Sequence, residues 1–270
     1  MVRTIFSDID WSRPWLCHLA ATAKSIISER DWCAALNREA AKRNVHNHRG
    51  LPLCFVPQDC LPPDMAYETF ISNTGQVPTR DNLHDFFNGL VWLVFPSVKA
   101  RLNAIQAAEI TRAAVESCDA SAKSSVRGRV RDAATIFDEN AVLLITPNTE
   151  LVLALREHRW KDAFCDQRLA FDDHCEVILF GHALMEKLVA PYKSVTGHAR
   201  WVVSDPAYFS KSPADRICWV DAVLAGELQS SLSITEFTPL PILGVPGWWD
   251  GQTSAFYDDA SVFRPPKSRR

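Results

Sequence analysis

From Trp15 to about Arg43, apolar positions recur at helical spacing, with Ile26, Ile27, Trp32, Leu36 and Ala40 on one face among Ala, Glu and Lys. Helices are expected there. The following "RNVHNHRGLPLCFVPQDCLPPD" breaks the period with Gly50 and prolines 52, 57, 62 and 63, and reads as an extended loop over the surface. "DMAYETFISNTG" predicts a short helix with Gly75 just past its end, where a left-handed residue closes a helix. Another helix is expected from Thr79 to Pro96. After it, "SVKARLNAIQAAEITRAAVESC" carries Val98, Leu102 and Ile105 at helical spacing behind Ser97, a fitting cap.

The pattern changes at "AVLLIT", a short apolar run bounded by turn residues, which reads as a buried strand. Asn148 or Thr149 suits the cap of the next helix, and "CEVILFGHALMEKLVAPY" repeats the order strand, glycine, helix. "ARWVVSD" supplies a third strand before the "SPADRICWVDAVLAGELQ" helix, which Ser212 caps ahead of Pro213. Strands alternating with helices predict an α+β protein, predominantly helical, with a small mixed or parallel sheet in its C-terminal half. The last segment, "FTPLPILGVPGWWDGQTSAFYDDASVFRPPKSRR", has too many prolines for a helix. Its Trp248, Trp249, Phe256, Tyr257 and Phe263 would be costly in water, so it should lie extended across the protein's own surface. One domain is expected over residues 1–270: a helical half to about 135, a strand-helix half over 136–235 and the tail over 236–270.

Composition narrows the function classes. A chain of 270 residues with 47% hydrophobic content can bury one large core or two smaller ones. Lys+Arg 29 against Asp+Glu 32 leaves a formal charge of -3, so no overall positive field attracts nucleic acid or an anionic membrane. Phosphate binding, if present, is local. No apolar run approaches the roughly 20 residues needed to cross a bilayer, and the N-terminus lacks the pattern of a secretory signal, which points to the cytoplasm. The eight cysteines contain no C-x-x-C pair, so reduced thiols are expected rather than a zinc ribbon. His46 and His48 sit in the proline-rich loop with no third donor nearby, and solvated imidazoles are expected.

Several stretches, "DWSRPWL", "VPTRDNLHDFFNGLVW", "RDAATIFDENA", "FGHALMEKL" and "PLPILGVPGWW" with "FYDD" and "VFRP", resemble the bacterial family called domain of unknown function 3025. The resemblance spans nearly the whole chain and implies one evolutionary unit. It carries no activity and no catalytic residue.

Candidate chemistry gathers in four places. In "TRDNLHDFFNGLVWLVFP", Asp81, His84 and Asn88 fall at i, i+3 and i+7, one face of a helix, with Asp85 beside them and Arg80 before them. Such a face can hold a divalent ion or orient His84 as a general base; the structural alternative is that Asp81 caps the helix and His84 meets a backbone carbonyl. "RDAATIFDEN" collects Asp132, Asp138, Glu139 and Asn140, either an ion-pair network with Arg131 or hard oxygen ligands for magnesium, manganese or calcium. "FGHALMEKL" places His182 and Glu186 at i and i+4, without the second histidine of H-E-x-x-H metalloproteases. Lys123, Arg127, Arg129 and Arg131 form a basic cluster among small residues, read as a loop that can meet an anion. No phosphate-cradling glycine loop and no G-x-S-x-G elbow appears.

The resulting expectation is that the helix of His84, the knot at Asp138 and the helix of His182 converge on one polar pocket. His84 and His182 would move protons, and Asp85, Asp138, Glu139 and Glu186 would hold a divalent ion such as magnesium or manganese. Arg80, Asn88, Arg129 and Arg131 would bind a small anionic molecule, and the function would be metal-dependent hydrolysis of a phosphorylated or nucleotide-like substrate. The alternative is a non-catalytic binding or scaffold protein whose polar motifs are structural hydrogen-bond networks, with the two histidines far apart.

Overall fold

The computed structural model describes residues 4–117, 126–228 and 232–265. Helices α1 (Cys17–Ile27) and α2 (Trp32–Lys42) open the fold and bury Leu19, Ala23, Ile26, Trp32, Leu36 and Ala40. Asp31 caps α2 by accepting the Ala34 N–H.

Part of the proline-rich stretch is a strand, β1 (Cys54–Pro57), and not loop. Helix α3 (Tyr67–Thr74) follows, closed by Gly75 at φ +74, and the chain runs on into β2 (Gln76–Thr79). The two strands pair in parallel with Phe55 opposite Val77, both buried. On β1 the Asn37 amide occupies Phe55's backbone, donating to its carbonyl at 2.8 Å and accepting its N–H at 2.6 Å. These partners come from distant sequence, which local periodicity does not register.

Helix α4 (Leu83–Val94) begins later than Thr79, because its cap is Asn82 and not Asp81. Asn82 accepts the Asp85 N–H at 2.8 Å, while Asp81 accepts from the Trp32 indole N–H at 2.8 Å. Phe95 leaves the helical region and α5 (Pro96–Ser117) restarts at once. Its N-terminal N–H groups are capped from across the chain by Asp221, which accepts from Ser97 and Val98 at 3.1 and 2.9 Å, so Ser97 is the capped residue and not the cap.

The arginine-rich stretch is helical: α6 (Val126–Asn140) carries it through the acidic knot directly into β3 (Ala141–Thr146). Lys123 lies outside the described residues. Every residue of β3 is buried. Then come α7 (Thr149–Arg156), capped by Asn148, α8 (Arg168–His174), β4 (Glu176–Leu179), α9 (His182–Lys187), β5 (Thr196–Val203), α10 (Pro213–Glu227), capped by Ser212, and β6 (Thr238–Pro241). These strands make a mixed sheet in the order β4-β3-β5-β6, with β3 and β5 parallel and both edges antiparallel.

The tail contributes β6 and then folds back on its own chain. Trp248 packs on Trp15 with ring centroids 5.8 Å apart, and Phe263 and Tyr257 pack at 5.0 Å. Buried side chains from Phe6 to Phe263 form one continuous apolar cluster. Among the described residues no helix is long and apolar enough to cross a membrane, and no cysteine is bridged.

Candidate metal centre

Three elements bring their ends together. His84 lies in the first turn of α4, Asp138 and Glu139 in the last turn of α6, and His182 opens α9. The approach of α9 to the end of α6 depends on Gly181, whose N–H donates to the Ala141 carbonyl at 2.9 Å. A Cβ at Gly181 would stand 2.5 to 2.6 Å from the backbone of Asn140 and Ala141, so only glycine permits this approach.

The two imidazoles face each other edge to face, with their Nε2 atoms 3.1 Å apart. Behind His84, Glu186 Oε2 lies 3.1 Å from Nδ1. A carboxylate only accepts, so His84 Nδ1 carries a proton toward Glu186 while Nε2 faces His182. Glu139 Oε2 is 3.7 Å from His182 Nε2, and one ligand atom from each of His84, Glu139 and His182 lies within 4.8 Å of the others. Burial drives the His182 pKa down to about 4, so its ring is neutral at pH 7. Its Nδ1 is buried without a hydrogen bond, 4.0 Å from Asp138 Oδ1. Burial, and next the Asp138 charge, push Glu139's carboxyl up.

A second layer supports the first. Lys99, nearly inaccessible on α5, donates to Asp138 Oδ1 at 2.5 Å and to Asn88 Oδ1 at 2.8 Å, and it lies 5.3 Å from the Trp92 ring centre. Asn88 Nδ2 in turn donates to the Tyr67 hydroxyl at 3.1 Å. Arg80 clamps Asp85 through its backbone N–H, Nε and Nη2 at 2.5, 3.0 and 2.9 Å.

These groups open on a cavity of about 400 Å³ whose walls include Tyr67, Glu68, Arg80, Thr135 and Glu139. Of the residues singled out by sequence, His84, His182, Asp138, Glu139, Asp85, Asn88 and Arg80 line it. The two histidines are neighbours, where the scaffold reading expected them apart. Roles shift within the set. Asp85 has both oxygens engaged by Arg80, Asp138 has Oδ1 engaged by Lys99, and Glu186 stands behind His84, so the close group of possible ligand atoms comes from His84, Glu139 and His182. Asn88 has both ends of its amide taken. Arg129 and Arg131 are exposed on α6 and do not line the cavity, although the Arg131 charge reaches Glu68 on its wall. His46 and His48 belong elsewhere, bonded to the Asn44 carbonyl and the Ser72 hydroxyl.

Lys99, Tyr67, Glu68 and Gln106 escape the motif reading. One signal was present: Lys99, Asn103 and Gln106 fall at i, i+4 and i+7 on α5 beside Val98 and Leu102, and all three are buried. A polar stripe inside an apolar helix face marks groups that must be satisfied internally.

The fold and site thus define an α+β protein with two imidazoles and a carboxylate grouped as a metal ion would need them. A family model described as "Protein of unknown function (DUF3025)" matches residues 53–267, and the chain belongs to that family. The matched region contains every residue lining the cavity. No curated protein and no solved structure matches the chain.

Proposed function

We propose that the protein is a metal-dependent hydrolase whose ion is held by His84 Nε2, His182 Nε2 and Glu139. The observation that carries this reading is the 3.1 Å approach of the two Nε2 atoms, with Glu186 fixing the tautomer of one and an unbonded Nδ1 on the other. Ligand nitrogens on a shared tetrahedral zinc stand roughly 3.3 Å apart, given bonds of about 2.05 Å. Coordination would move the His182 proton to Nδ1, the buried atom that faces Asp138, and would give Glu186–His84 the carboxylate–histidine–metal arrangement.

Two imidazoles and one carboxylate form a borderline donor set that favours zinc or iron(II) over magnesium, which prefers oxygen ligands. This choice replaces the magnesium or manganese expected from the acidic knot. Such an ion lowers the pKa of water and polarises the bond to be cleaved. His84 and His182 then serve as ligands and not as proton carriers, and water adds across the scissile bond.

The test is cobalt(II) titration of metal-stripped protein, followed by its visible absorption. One equivalent with a four- or five-coordinate spectrum is expected, with loss of uptake in His84→Ala and Glu139→Ala. A wild-type protein that takes up no cobalt, zinc or iron overturns the reading.

A further inference from the structure

The cavity's charge balance and the direction of its hydrogen bonds specify what sits beside the metal; the inference rests on the metal reading above. Lys99 is a pure donor, so Asn88 must turn Oδ1 toward it and Nδ2 toward Tyr67. The Tyr67 oxygen therefore accepts, and its own proton is left to point at a ligand. Burial raises that phenol's pKa well above its ordinary value, with the Glu68, Asp85 and Asp138 charges adding to the effect, so the proton stays in place.

Charge decides the ligand's class. Asp85 is paired with Arg80 and Asp138 with Lys99, whereas Glu68 and Glu139 have no ion-pair partner among the described residues apart from His182 beside Glu139. Glu68 has one oxygen held by the Asn103 amide at 2.7 Å and lines the cavity. A divalent ion offsets Glu139 and leaves about one positive charge, against which stand both Glu68 and the Glu186 behind His84. A phosphate placed there would meet the Glu68 carboxylate, since Arg80 is already committed to Asp85, and Arg131, whose charge reaches Glu68, does not line the cavity.

We propose that the ligand is an uncharged acyl–nitrogen compound, its carbonyl oxygen accepting from the Tyr67 hydroxyl and its N–H donating to Glu68. Hydrolysis of such a bond forms a C–O bond from water and breaks the C–N bond, giving a carboxylic acid and an amine that retains one water proton. Tyr67 would then face the oxygen on which negative charge develops. This class takes the place of the phosphorylated substrate expected from the arginine cluster.

The test uses cobalt-loaded protein with two probes, acetohydroxamic acid and inorganic phosphate, each titrated by the change in cobalt absorption. Glu68→Gln is expected to weaken the hydroxamate and strengthen phosphate, opposite signs that no general loss of fold produces. Tyr67→Phe is expected to weaken the hydroxamate about ten-fold, the worth of one hydrogen bond in a dry site. Equal or same-sign responses of both probes in Glu68→Gln, or unchanged hydroxamate binding in Tyr67→Phe, overturn the proposal. Wild-type protein that takes up no cobalt overturns this inference together with the metal reading, whereas failure of the probe pattern alone leaves the metal reading standing.

Discussion

The Lys99 ammonium donates to the Asp138 carboxylate at 2.5 Å, and both groups are shut away from water, 4% and 8% exposed. Burial alone would raise the Asp138 pKa; Lys99, and after it His182, overcome burial and hold it below the ordinary value. The pair is the floor of the candidate metal centre, because Asp138 also faces the unbonded Nδ1 of His182. Lys99→Met leaves that carboxylate uncompensated, and a cost of about 3–5 kcal/mol is expected in denaturant unfolding. In Lys99→Met/Asp138→Leu most of the loss should return, while metal uptake stays impaired. A double variant as unstable as the single would show that the pair is not the source of the cost.

Gly181 determines how closely His182 approaches Glu139. Gly181→Ala puts a methyl group into the backbone of Asn140 and Ala141, where no flexible side chain can give way. The end of α9 must move, so stability is expected to fall by about 1–3 kcal/mol and cobalt affinity by at least ten-fold. Isothermal titration and thermal unfolding measure the two effects. Unimpaired metal uptake would show that the His182 position tolerates displacement.

The capping of α5 is a long-range contact with a local magnitude. Asp221→Ala removes both acceptors at Ser97 and Val98, and a loss of about 1–2 kcal/mol is expected from chemical denaturation. Burial raises the Asp221 pKa. Asp221→Asn keeps one acceptor and should lose less than the alanine variant.

The Asp221 cap also shows where the sequence stops being informative. Strand β3, the strand-glycine-helix unit at His182 and the Ser212 and Asn148 caps are each written within a few consecutive residues. They were readable. Strand β1, the Asp221 cap and the Asn82 start of α4 depend on partners tens of residues away, or on a choice between adjacent cap residues, and local spacing carries no trace of either. The site divides in the same way. His84, Glu139 and His182 stand in conspicuous polar motifs. Whether Asp138 or Glu139 is free for a ligand is settled only by Lys99, which enters from another helix.

His18 gives the protein an acid sensitivity separate from the His84–His182 pair. The residue is partly buried near Phe95 with its Nε2 shut away from water, and desolvation lowers its pKa from 6.5 to about 4, partly opposed by the Leu179 backbone. The unfolded chain binds the proton below pH 6.5 and the folded chain only near pH 4, so folding loses stability as pH falls through that window. The shift corresponds to about 3 kcal/mol at most. Denaturation midpoints at pH 7, 6, 5 and 4 should fall steadily, and His18→Leu should flatten the profile even where its stability at pH 7 is lower. An equal slope in the variant would move the acid sensitivity elsewhere.

Glu186 separates a metal centre from a hydrogen-bonded histidine pair. If the two imidazoles only bond to each other, removing the carboxylate behind His84 changes one exposed contact and has no bearing on metal. If they share an ion, Glu186 fixes the His84 proton on Nδ1 and raises the basicity of Nε2, and Glu186→Gln should weaken cobalt or zinc binding about 10–100-fold. The fold should be unaffected, because Glu186 is 42% exposed and lies at the rim. A chelator should lower the melting temperature of metal-loaded wild type and leave His84→Ala unchanged, since only a protein that binds the ion in its folded state is stabilised by it. Equal metal affinity in wild type and Glu186→Gln would mean that the contact at 3.1 Å has no part in ligation.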